Sequence, residues 1–464
     1  MMDFNLIVPH RLLDTIQSTA FDGQKEAGAW TLFRVAHVDC DPVTGRATRR
    51  YILNKVVPLM QTDVVSSSEK HLTVKTGSFV KVLGQAQLDE LVPGFLHGHP
   101  SGYAAFSSRD DQNEAALSRA HRNKSGPGRA FVSLLALPSG RLLARVWTDP
   151  DTSYPATVTI TGHRLRKCFV HEDDILETQA LDRQTRVFGP GFNAQLQSLK
   201  VLIVGAGGTG SPLSVMLARS GVQSPVILDP DVIEETNLHR LYGATVKDIG
   251  SPKATVLAAH LNGFGLDTNA LGIQGNLLDV AHRDLLKSAD VIFCCTDDHA
   301  SRLLLNRFAY FYELPVIDIG LAIERGEVDV KDMTGRVTRL GPGSPCLLCR
   351  NIVDPRRARE EELRAKDPEA YAFQVNEGYI LGGGDPEPAF ISMTTSVATL
   401  AMEELLQLMT GFRGDGGVVT QRLRRFQVPE DRRTGAKTDP DCPICSEIEC
   451  WGLGDVTPFL DRVS

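Results

Sequence analysis

The chain lacks any apolar run long enough to cross a bilayer. No stretch of its 464 residues reaches the ~20 apolar positions that a membrane-spanning helix needs. Its opening residues, MMDFNLIVPHRLLD, lack the basic stretch and the apolar core of a secretion signal. Together these two absences predict a cytoplasmic protein.

The chain also lacks an excess of positive charge. Lys and Arg number 49 against 57 Asp and Glu, which gives a net charge of −8. Broad binding to nucleic acid or to anionic membranes needs clustered positive charge. We therefore expect neither a nucleic-acid nor a membrane partner, and we expect the short basic run at 422–425 on a solvated face.

The composition itself is ordinary for a globular protein, with 42% apolar and 23% charged residues. The length suggests two domains, because single domains usually have ~100–200 residues. Turn-forming and acidic residues cluster where the apolar runs weaken: Asp149, Pro150, Asp151, Ser153 and Pro155. We place an N-terminal α/β domain at 1–147, a linker at 148–180 and a second domain at 181–464. An edge strand at 156–160 is left open.

A glycine-rich turn follows an apolar strand in the second domain. The segment VLIVGAGGTGSP places Gly205, Gly207 and Gly210 between that strand and a helix. Glycines let the backbone approach phosphate, and a helix N-terminus presents unpaired N–H groups to it. Asp229 ends the next strand, where its carboxylate can bind ribose hydroxyls. The pattern predicts a Rossmann-like doubly wound sheet, and taken alone it fits a nicotinamide or flavin enzyme equally well.

Charged residues beyond the second strand favour ATP over a dinucleotide. The segment DPDVIEETNLHRLYGATVKDIGSPKA carries Asn237, Arg240 and Lys253, for which a dinucleotide binder has no evident use. Arg and Lys can neutralise a triphosphate while a carboxylate attacks it. Asp297, in CCTDDHASR at the end of a later strand, can hold Mg²⁺.

In their order, these motifs resemble the ThiF/MoeB and ubiquitin-activating-enzyme superfamily over about residues 181–446. The resemblance rests on a leading RxxR pair, the GxGGxG turn that includes Gly208, DxD with NLxR, DIGxxK, the CTD strand end and two CxxC pairs. It implies a ThiF-type domain that uses ATP to adenylate the C-terminal glycine of a ubiquitin-like protein. The implied contacts are ribose for Asp229, phosphates for Asn237, Arg240 and Lys253, and Mg²⁺ for Asp297.

Arg186 receives its role only through this resemblance. In the family, the second arginine of RxxR reaches the triphosphate from the other subunit of a dimer. The resemblance therefore implies an arginine finger at Arg186 and a homodimer. A surface salt bridge is the alternative for this residue.

Four of the nine cysteines form two CxxC pairs far apart in sequence. They lie in SPCLLCR and DPDCPICSE: Cys346, Cys349, Cys442 and Cys445. Four thiolates suit a tetrahedral, structural Zn²⁺, and the ThiF-like relatives have the same pairs. A redox-active CxxC would need a thioredoxin-like context, which is absent.

The segment that crosses the adenylation site in this superfamily lacks a cysteine here. Relatives that pass their protein on as a thioester place the nucleophile there, but residues 351–402 contain none. We expect the domain to stop at the acyl-adenylate or to hand it to a partner's nucleophile. A hydroxyl in the glycine-rich stretch would need a base that the sequence does not identify.

The N-terminal domain carries two histidines and an aspartate in a metal-binding pattern. In FLHGHPSGYAAFSSRDD, His97 and His99 would face the same side of a strand, and Asp110 follows. Two imidazoles and a carboxylate suit catalytic zinc with a fourth position left to water. The pattern resembles the JAMM (JAB/MPN) metalloprotease motif HxHPx(6)SxxD and implies a JAB/MPN-like fold. It also implies that Ser107 stabilises the oxyanion and that Glu26 is the general base. A degenerate domain without a working base is left open.

The two domains together predict one pathway. The peptidase would mature or deconjugate a ubiquitin-like protein, and the second domain would adenylate its carboxylate, in a bacterial-type conjugation pathway. Two alternatives stay open: a sulfur-carrier activator for cofactor or siderophore synthesis, and a binding module without catalysis. The expected partners are a ubiquitin-like or sulfur-carrier protein, a conjugating-enzyme-like protein and a second copy of the chain.

Overall fold

The computed structural model describes residues 2–168, 179–189, 191–325, 330–376, 389–414, 419–428, 430–446 and 450–459. The chain divides into two compact units, one of residues 1–174 with 452–464 and one of residues 175–451. Within the described residues, no helix is both long and apolar enough to cross a membrane.

The first unit mixes strands and helices. In chain order they are β1 (Asp3–Pro9), α1 (Leu13–Ala20), β2 (Phe21–Asp22), β3 (Lys25–Glu26), β4 (Gly28–Val38), β5 (Thr48–Pro58), β6 (Val64–Ser68), β7 (His71–Val74), α2 (Thr76–Leu88), β8 (Val92–Gly98), α3 (Ser108–Ser125), β9 (Phe131–Ala136), β10 (Leu142–Asp149), β11 (Thr152–Thr161) and β12 (Arg166–Cys168).

The main sheet of this unit closes on itself. Its strand order is β1-β5-β4-β8-β9-β10-β11-β12, and β1 also pairs with β11, so the strands from β1 to β11 in this order form a ring. Successive residues of β8 point to opposite faces, as strand geometry requires. Leu96 joins the apolar cluster that includes Ile16 of α1, whereas Phe95 joins the cluster that includes Phe79 of α2. The sheet therefore has an apolar core on each side of β8.

The predicted linker at 148–180 is wrong for residues 152–168, which form β11 and β12. β11 pairs with both β1 and β10, and Ala156, Val158 and Ile160 are buried in the core. Of the residues that suggested a linker, Pro150 and Asp151 form the hairpin turn between β10 and β11, where the Asp151 amide donates to the Asp149 side chain (2.9 Å), and Ser153 and Pro155 lie in β11 itself. Turn residues look the same in a hairpin and in a linker.

The predicted end of the second domain at 464 is also corrected. Residues 452–459 belong to the first unit, where the backbone amide of His37 in β4 donates to Asp455 Oδ2 (2.6 Å). A short segment of this kind shows no periodicity of apolar residues. The sequence therefore does not indicate which unit it packs against.

The second unit alternates strands and helices before it becomes antiparallel. In chain order its elements are α4 (Asp182–Phe188), α5 (Phe192–Gln197), β13 (Val201–Val204), α6 (Gly210–Arg219), β14 (Val226–Asp229), α7 (Lys253–Asn262), β15 (Leu271–Gln274), α8 (Arg283–Ser288), β16 (Val291–Cys294), α9 (His299–Phe311), β17 (Val316–Arg325), β18 (Val330–Leu340), α10 (Pro355–Lys366), α11 (Pro368–Asn376), α12 (Ile391–Thr410), β19 (Gln421–Arg425) and β20 (Glu430–Arg433).

The sheet of this unit confirms the predicted doubly wound topology. Its order is β15-β14-β13-β16-β17-β18-β19-β20, and the pairs from β15 to β17 are parallel. The strand order reverses between β13 and β16. In open α/β sheets, ligands bind outside the carboxyl ends of the strands at such a switch point.

Candidate nucleotide and metal sites

The glycine turn joins β13 to α6 at the switch point. Gly205 has φ +100°, and a Cβ there would lie 2.7 Å from the Cys295 carbonyl oxygen. A Cβ on Gly210 would lie 1.9 Å from the Gly205 carbonyl oxygen, so the start of α6 packs directly on the turn. A Cβ on Gly207 would meet no atom within 4 Å. The turn therefore has two closely packed ends and an open middle, which leaves room for a phosphate to approach its backbone.

Asp229 ends β14 beside this turn. Its Oδ2 accepts from the Ala206 amide (2.6 Å), and its Oδ1 accepts from the Asp231 amide (2.9 Å). Burial raises the pKa of Asp229 above its ordinary value, while these two hydrogen bonds oppose that rise. A carboxylate has about four lone-pair sites, so each oxygen keeps acceptor capacity for a ribose hydroxyl.

The predicted phosphate-contacting residues follow β14. Lys253 begins α7, and its Nζ lies 2.8 Å from Asp231 Oδ2. Arg240 lies against the turn, since its Cδ would be 3.2 Å from a Cβ on Gly208. Asn237 is buried, and its Oδ1 accepts from the Glu234 amide (3.3 Å). Arg240 is thus brought to the glycine turn, whereas Asn237 caps a local turn in this structure.

Asp297 follows β16 and is exposed. Its carbonyl oxygen accepts from the guanidinium of Arg302 (3.5 Å), which also donates to the Ile319 carbonyl (3.3 Å). The fully buried Asp318 pairs with both Arg302 (3.3 Å) and Arg336 (2.9 Å). Sequence reasoning missed this ion cluster; Arg302 lies in the CCTDDHASR segment, but Asp318 and Arg336 come from separate strands.

Arg186 lies on the surface of α4. Its side chain is 76% exposed and pairs with Asp182 one turn earlier (2.6 Å). This contact is the surface salt bridge that the sequence left open as the alternative. A role for Arg186 at the nucleotide site of a second subunit stays a prediction.

The four cysteines of the CxxC pairs converge. Cys346 Sγ lies 3.7 Å from Cys442 Sγ, and Cys349 Sγ lies 3.6 Å from Cys445 Sγ. Thiolates at ~2.3 Å from a tetrahedral zinc are ~3.8 Å apart, so the cluster fits Zn²⁺. A hydrogen bond with Cys445 lowers the pKa of Cys346 below its ordinary value, whereas burial raises the pKa of Cys442. A divalent cation would stabilise all four as thiolates.

The segment predicted to cross the adenylation site is described at 351–376 and 389–402. The glycine-rich stretch within 377–388 lies outside the described residues. The start of α12 packs near the glycine turn, because Thr394 Cγ2 would lie 3.1 Å from a Cβ on Gly208. The hydroxyls of Thr395 and Tyr242 are 3.0 Å apart.

In the first unit, His97, His99 and Asp110 come together. His97 Nε2 lies 3.3 Å from Asp110 Oδ1, and His99 Nε2 lies 3.4 Å from Asp110 Oδ2. Ligand atoms at ~2.0–2.2 Å from a tetrahedral zinc are ~3.3–3.6 Å apart, so these distances fit Zn²⁺. Burial raises the pKa of Asp110, but its close contacts with both imidazoles outweigh burial and hold this pKa well below its ordinary value.

Ser107 and Glu26 flank these three residues. Ser107 caps the N-terminus of α3: its amide donates to Asp110 Oδ2 (2.6 Å), and its Oγ accepts from the Asp110 amide (3.3 Å). Glu26 is buried with its Oε1 4.0 Å from His99 Nε2, and burial raises the pKa of Glu26 above its ordinary value. Ser67 Oγ donates to the Glu26 carbonyl (2.6 Å) and so holds this residue in place. The catalytic roles of Ser107 and Glu26 stay predictions.

A buried glutamate beside His97 was missed by sequence reasoning. Glu114 is 1% exposed, and its Oε1 lies 4.0 Å from His97 Nδ1. Burial raises the pKa of Glu114, while the Arg145 guanidinium opposes that rise. The available signal was its position four residues after Asp110, which places both side chains on one face of α3.

Known proteins resemble a large part of this chain. A family model described as the ThiF family matches residues 181–445. The SAMP-activating enzyme E1 of Haloferax volcanii is 27% identical over 295 residues, which are 61% of this chain and 94% of that protein. The adenylyltransferase and sulfurtransferase UBA4 of Meyerozyma guilliermondii is 32% identical over 219 residues, 47% of this chain and 45% of that protein.

The chain therefore spans nearly all of the archaeal relative but less than half of the fungal one. Among solved structures, E. coli MccB with ATP is 19% identical with a TM-score of 0.44, covering 58% of this chain and 75% of that chain. The residues that the ThiF model matches run from α4 through the CxxC pairs and make up more than half of the sequence. On that match, the chain belongs to the ThiF family.

Proposed function

We propose that the second unit uses ATP and Mg²⁺ to adenylate the C-terminal glycine of a ubiquitin-like protein. The observation that carries the proposal is the open glycine turn at the switch point, with Asp229 hydrogen-bonded to it and Arg240 packed against it. Membership in the ThiF family and the names of the relatives, an E1 and an adenylyltransferase, support the same reaction.

The reaction joins a carboxylate oxygen to the α-phosphorus and breaks the bond to pyrophosphate, which leaves. Asp229 would bind the ribose and the backbone at Gly207 would face phosphate oxygens, so the nucleotide is held for in-line attack. Arg240 and Lys253 would neutralise the leaving pyrophosphate, and Asp297 would hold the Mg²⁺, which would supply further positive charge to the phosphates. Positioning and charge neutralisation therefore supply most of the catalysis.

Pyrophosphate exchange tests this assignment. With a ubiquitin-like protein ending in Gly, the chain should exchange radiolabelled pyrophosphate into ATP. Asp297→Ala should reduce the exchange by ~100-fold or more, because the ion would lose its protein ligand. Asp279→Ala, which removes an exposed carboxylate after β15, is the matched control and should retain exchange. Full exchange by Asp297→Ala would overturn the assignment.

We further propose that the first unit is a zinc peptidase for the same class of protein. His97, His99 and Asp110 would hold the ion, which supplies a Lewis acid for hydrolysis of the bond after the C-terminal glycine. Glu26 would accept a proton from the attacking water and deliver it to the leaving amine, for which its raised pKa is suited. Ser107 would donate to the developing oxyanion.

Cleavage of a ubiquitin-like protein with a C-terminal extension tests the peptidase. Glu26→Gln keeps the shape of the side chain and should abolish cleavage while leaving bound zinc unchanged. Wild-type protein that binds zinc but cleaves no extended partner would instead support a binding module. Whether cleavage matures a precursor or releases a conjugate follows from whether linear or isopeptide-linked substrates are cut.

We propose that the second unit stops at the acyl-adenylate. The sequence has no cysteine from 351 to 402, so a nucleophile from a partner, such as a conjugating-enzyme-like protein or a sulfur donor, would complete the transfer. The name of the fungal relative, which includes sulfurtransferase, favours a sulfur carrier for cofactor or siderophore synthesis as the second candidate. Mass spectrometry of the product distinguishes a thiocarboxylate from a conjugate.

A further inference from the structure

The two ring nitrogens of His97 face two different carboxylates. Nε2 points to Asp110 Oδ1 (3.3 Å), and Nδ1 points to Glu114 Oε1 (4.0 Å). Among the described residues, both ring nitrogens and Glu114 Oε1 are buried without a hydrogen-bond partner. Buried polar atoms in native proteins nearly always have a partner, so this arrangement needs a reason.

Other residues fix the orientation of Glu114. Its Oε2 accepts from Arg145 Nε (2.7 Å) and from Trp147 Nε1 (3.1 Å), both on β10. The Arg145 guanidinium in turn stacks 4.1 Å over the ring of Phe106, in the loop before α3. These contacts use one carboxylate oxygen and leave the other facing His97.

We propose that Glu114 is a positioning residue that prepares His97 to bind metal, an inference that rests on the proposed zinc site. When Nε2 binds the ion, Nδ1 would carry the ring proton and would face the Glu114 carboxylate. Imidazoles that bind metal usually donate their other N–H to a carboxylate or carbonyl, which fixes the ring and raises its basicity. Glu114 does not touch substrate and acts through His97.

A purely structural ion pair is the competing explanation for Glu114 and Arg145. Such a pair would affect stability when it is broken, but it would change neither the affinity of the site for zinc nor the signal of the His97 Nδ1 proton. Zinc affinity and this proton signal therefore separate the two explanations.

The test uses the full chain with Glu114→Gln. Zinc per chain is counted, and affinity is measured by competition with a chelating dye; His97→Ala identifies the zinc of the first unit. We expect ~10–100-fold weaker zinc binding at that site, with the zinc of the four cysteines retained. Asp111→Asn is the matched control. Asp111 also pairs with Arg145, but its side chain is 55% exposed and makes no described contact with His97. It should leave zinc affinity within about twofold, as an exposed pair contributes little.

Two further measurements guard against a variant that fails to fold. Glu114→Asp keeps the negative charge beside Arg145 but withdraws it from His97, so it should also weaken zinc binding. In zinc-bound protein, the proton on His97 Nδ1 should resonate further downfield in wild type than in either variant, because it faces a nearby carboxylate only in wild type.

Unchanged zinc affinity in both folded Glu114 variants, or an unchanged signal of the His97 Nδ1 proton in zinc-bound protein, would overturn the role of Glu114. A different result would overturn the zinc site itself. In that result, His97→Ala would bind as much zinc per chain as wild type does. The failure of this inference and the failure of the proposed metal site are thus distinguishable.

Discussion

At the scale of single residues, buried charges in the second unit depend on arginines from other elements. Asp318 in β17 is fully buried between Arg302 of α9 and Arg336 of β18. Removal of one partner from a buried ion pair leaves the other charge without compensation, which costs more than the pair contributes. The loop that carries Asp297 depends on this cluster through the hydrogen bond from Arg302.

Asp318→Ala should therefore be strongly destabilising. It leaves two buried guanidinium groups without their carboxylate, and we expect a loss of about 3–5 kcal/mol in the free energy of unfolding of the second unit. Asp332→Ala is the matched control, because Asp332 pairs with Arg425 at 3.5 Å with both side chains about 40% exposed. Its loss should stay below about 1 kcal/mol. Equal urea midpoints for the two variants would contradict this account.

His121 in α3 makes the stability of the first unit depend on pH. Burial, and then the charge of Arg129, lower the pKa of His121 to about 4 from 6.5. The unfolded chain therefore binds the proton more readily, so stability is fully present above about pH 6.5 and is lost as pH falls toward 4.

Between pH 7 and pH 5, wild type should lose about 1–2 kcal/mol more than His121→Leu, because the buried imidazole resists the proton that the unfolded chain takes up. Denaturant unfolding at the two pH values, followed by the fluorescence of Trp30 and Trp147, measures the difference. Parallel losses in both proteins would show that His121 does not contribute.

At the scale of elements, the glycine turn combines packing with an open surface. Gly210 has no room for a Cβ, whereas a Cβ on Gly207 meets nothing within 4 Å. A substitution at Gly210 therefore tests the packing of the fold, whereas a substitution at Gly207 tests the binding of a ligand.

Gly210→Ala should destabilise the second unit by about 1–3 kcal/mol or more, since the added methyl overpacks the start of α6. Gly207→Ala should leave the melting temperature unchanged and weaken ATP binding by ~10-fold or more, because the methyl would occupy the approach of a phosphate. Thermal unfolding and ATP titration of both variants check this pair. Normal ATP affinity in Gly207→Ala would mean that the phosphates lie elsewhere.

The sequence predicted those elements that are determined by residues close together in the chain. The turn from Gly205 to Gly210 and the strand that ends at Asp229 could be predicted because spacing alone fixes a strand, a turn and a helix. β11 is predicted only in part, as an edge strand at 156–160 beside a linker, because its turn residues resemble a linker and only the pairing with β1 shows that it lies inside the sheet. Glu114 could not be predicted, because Arg145 and Trp147, which orient it, lie on a distant strand.

At the scale of the whole molecule, the open question for adenylation is which subunit supplies Arg186. In one chain this side chain is exposed and pairs with Asp182, with no described contact to the glycine turn. The proposed homodimer would place it at the nucleotide of the other subunit, so each active site would combine Asp297 of one chain with Arg186 of its partner.

Mixed dimers test this arrangement. Arg186→Ala and Asp297→Ala should each abolish pyrophosphate exchange alone. Random pairing of the two variants makes half of the dimers mixed, and each mixed dimer contains one intact site and one doubly defective site. Co-expression should therefore restore about a quarter of wild-type exchange. Co-expressed protein no more active than the separate variants would show that Arg186 acts within its own chain or not at all, because complementation requires that the two residues come from different subunits.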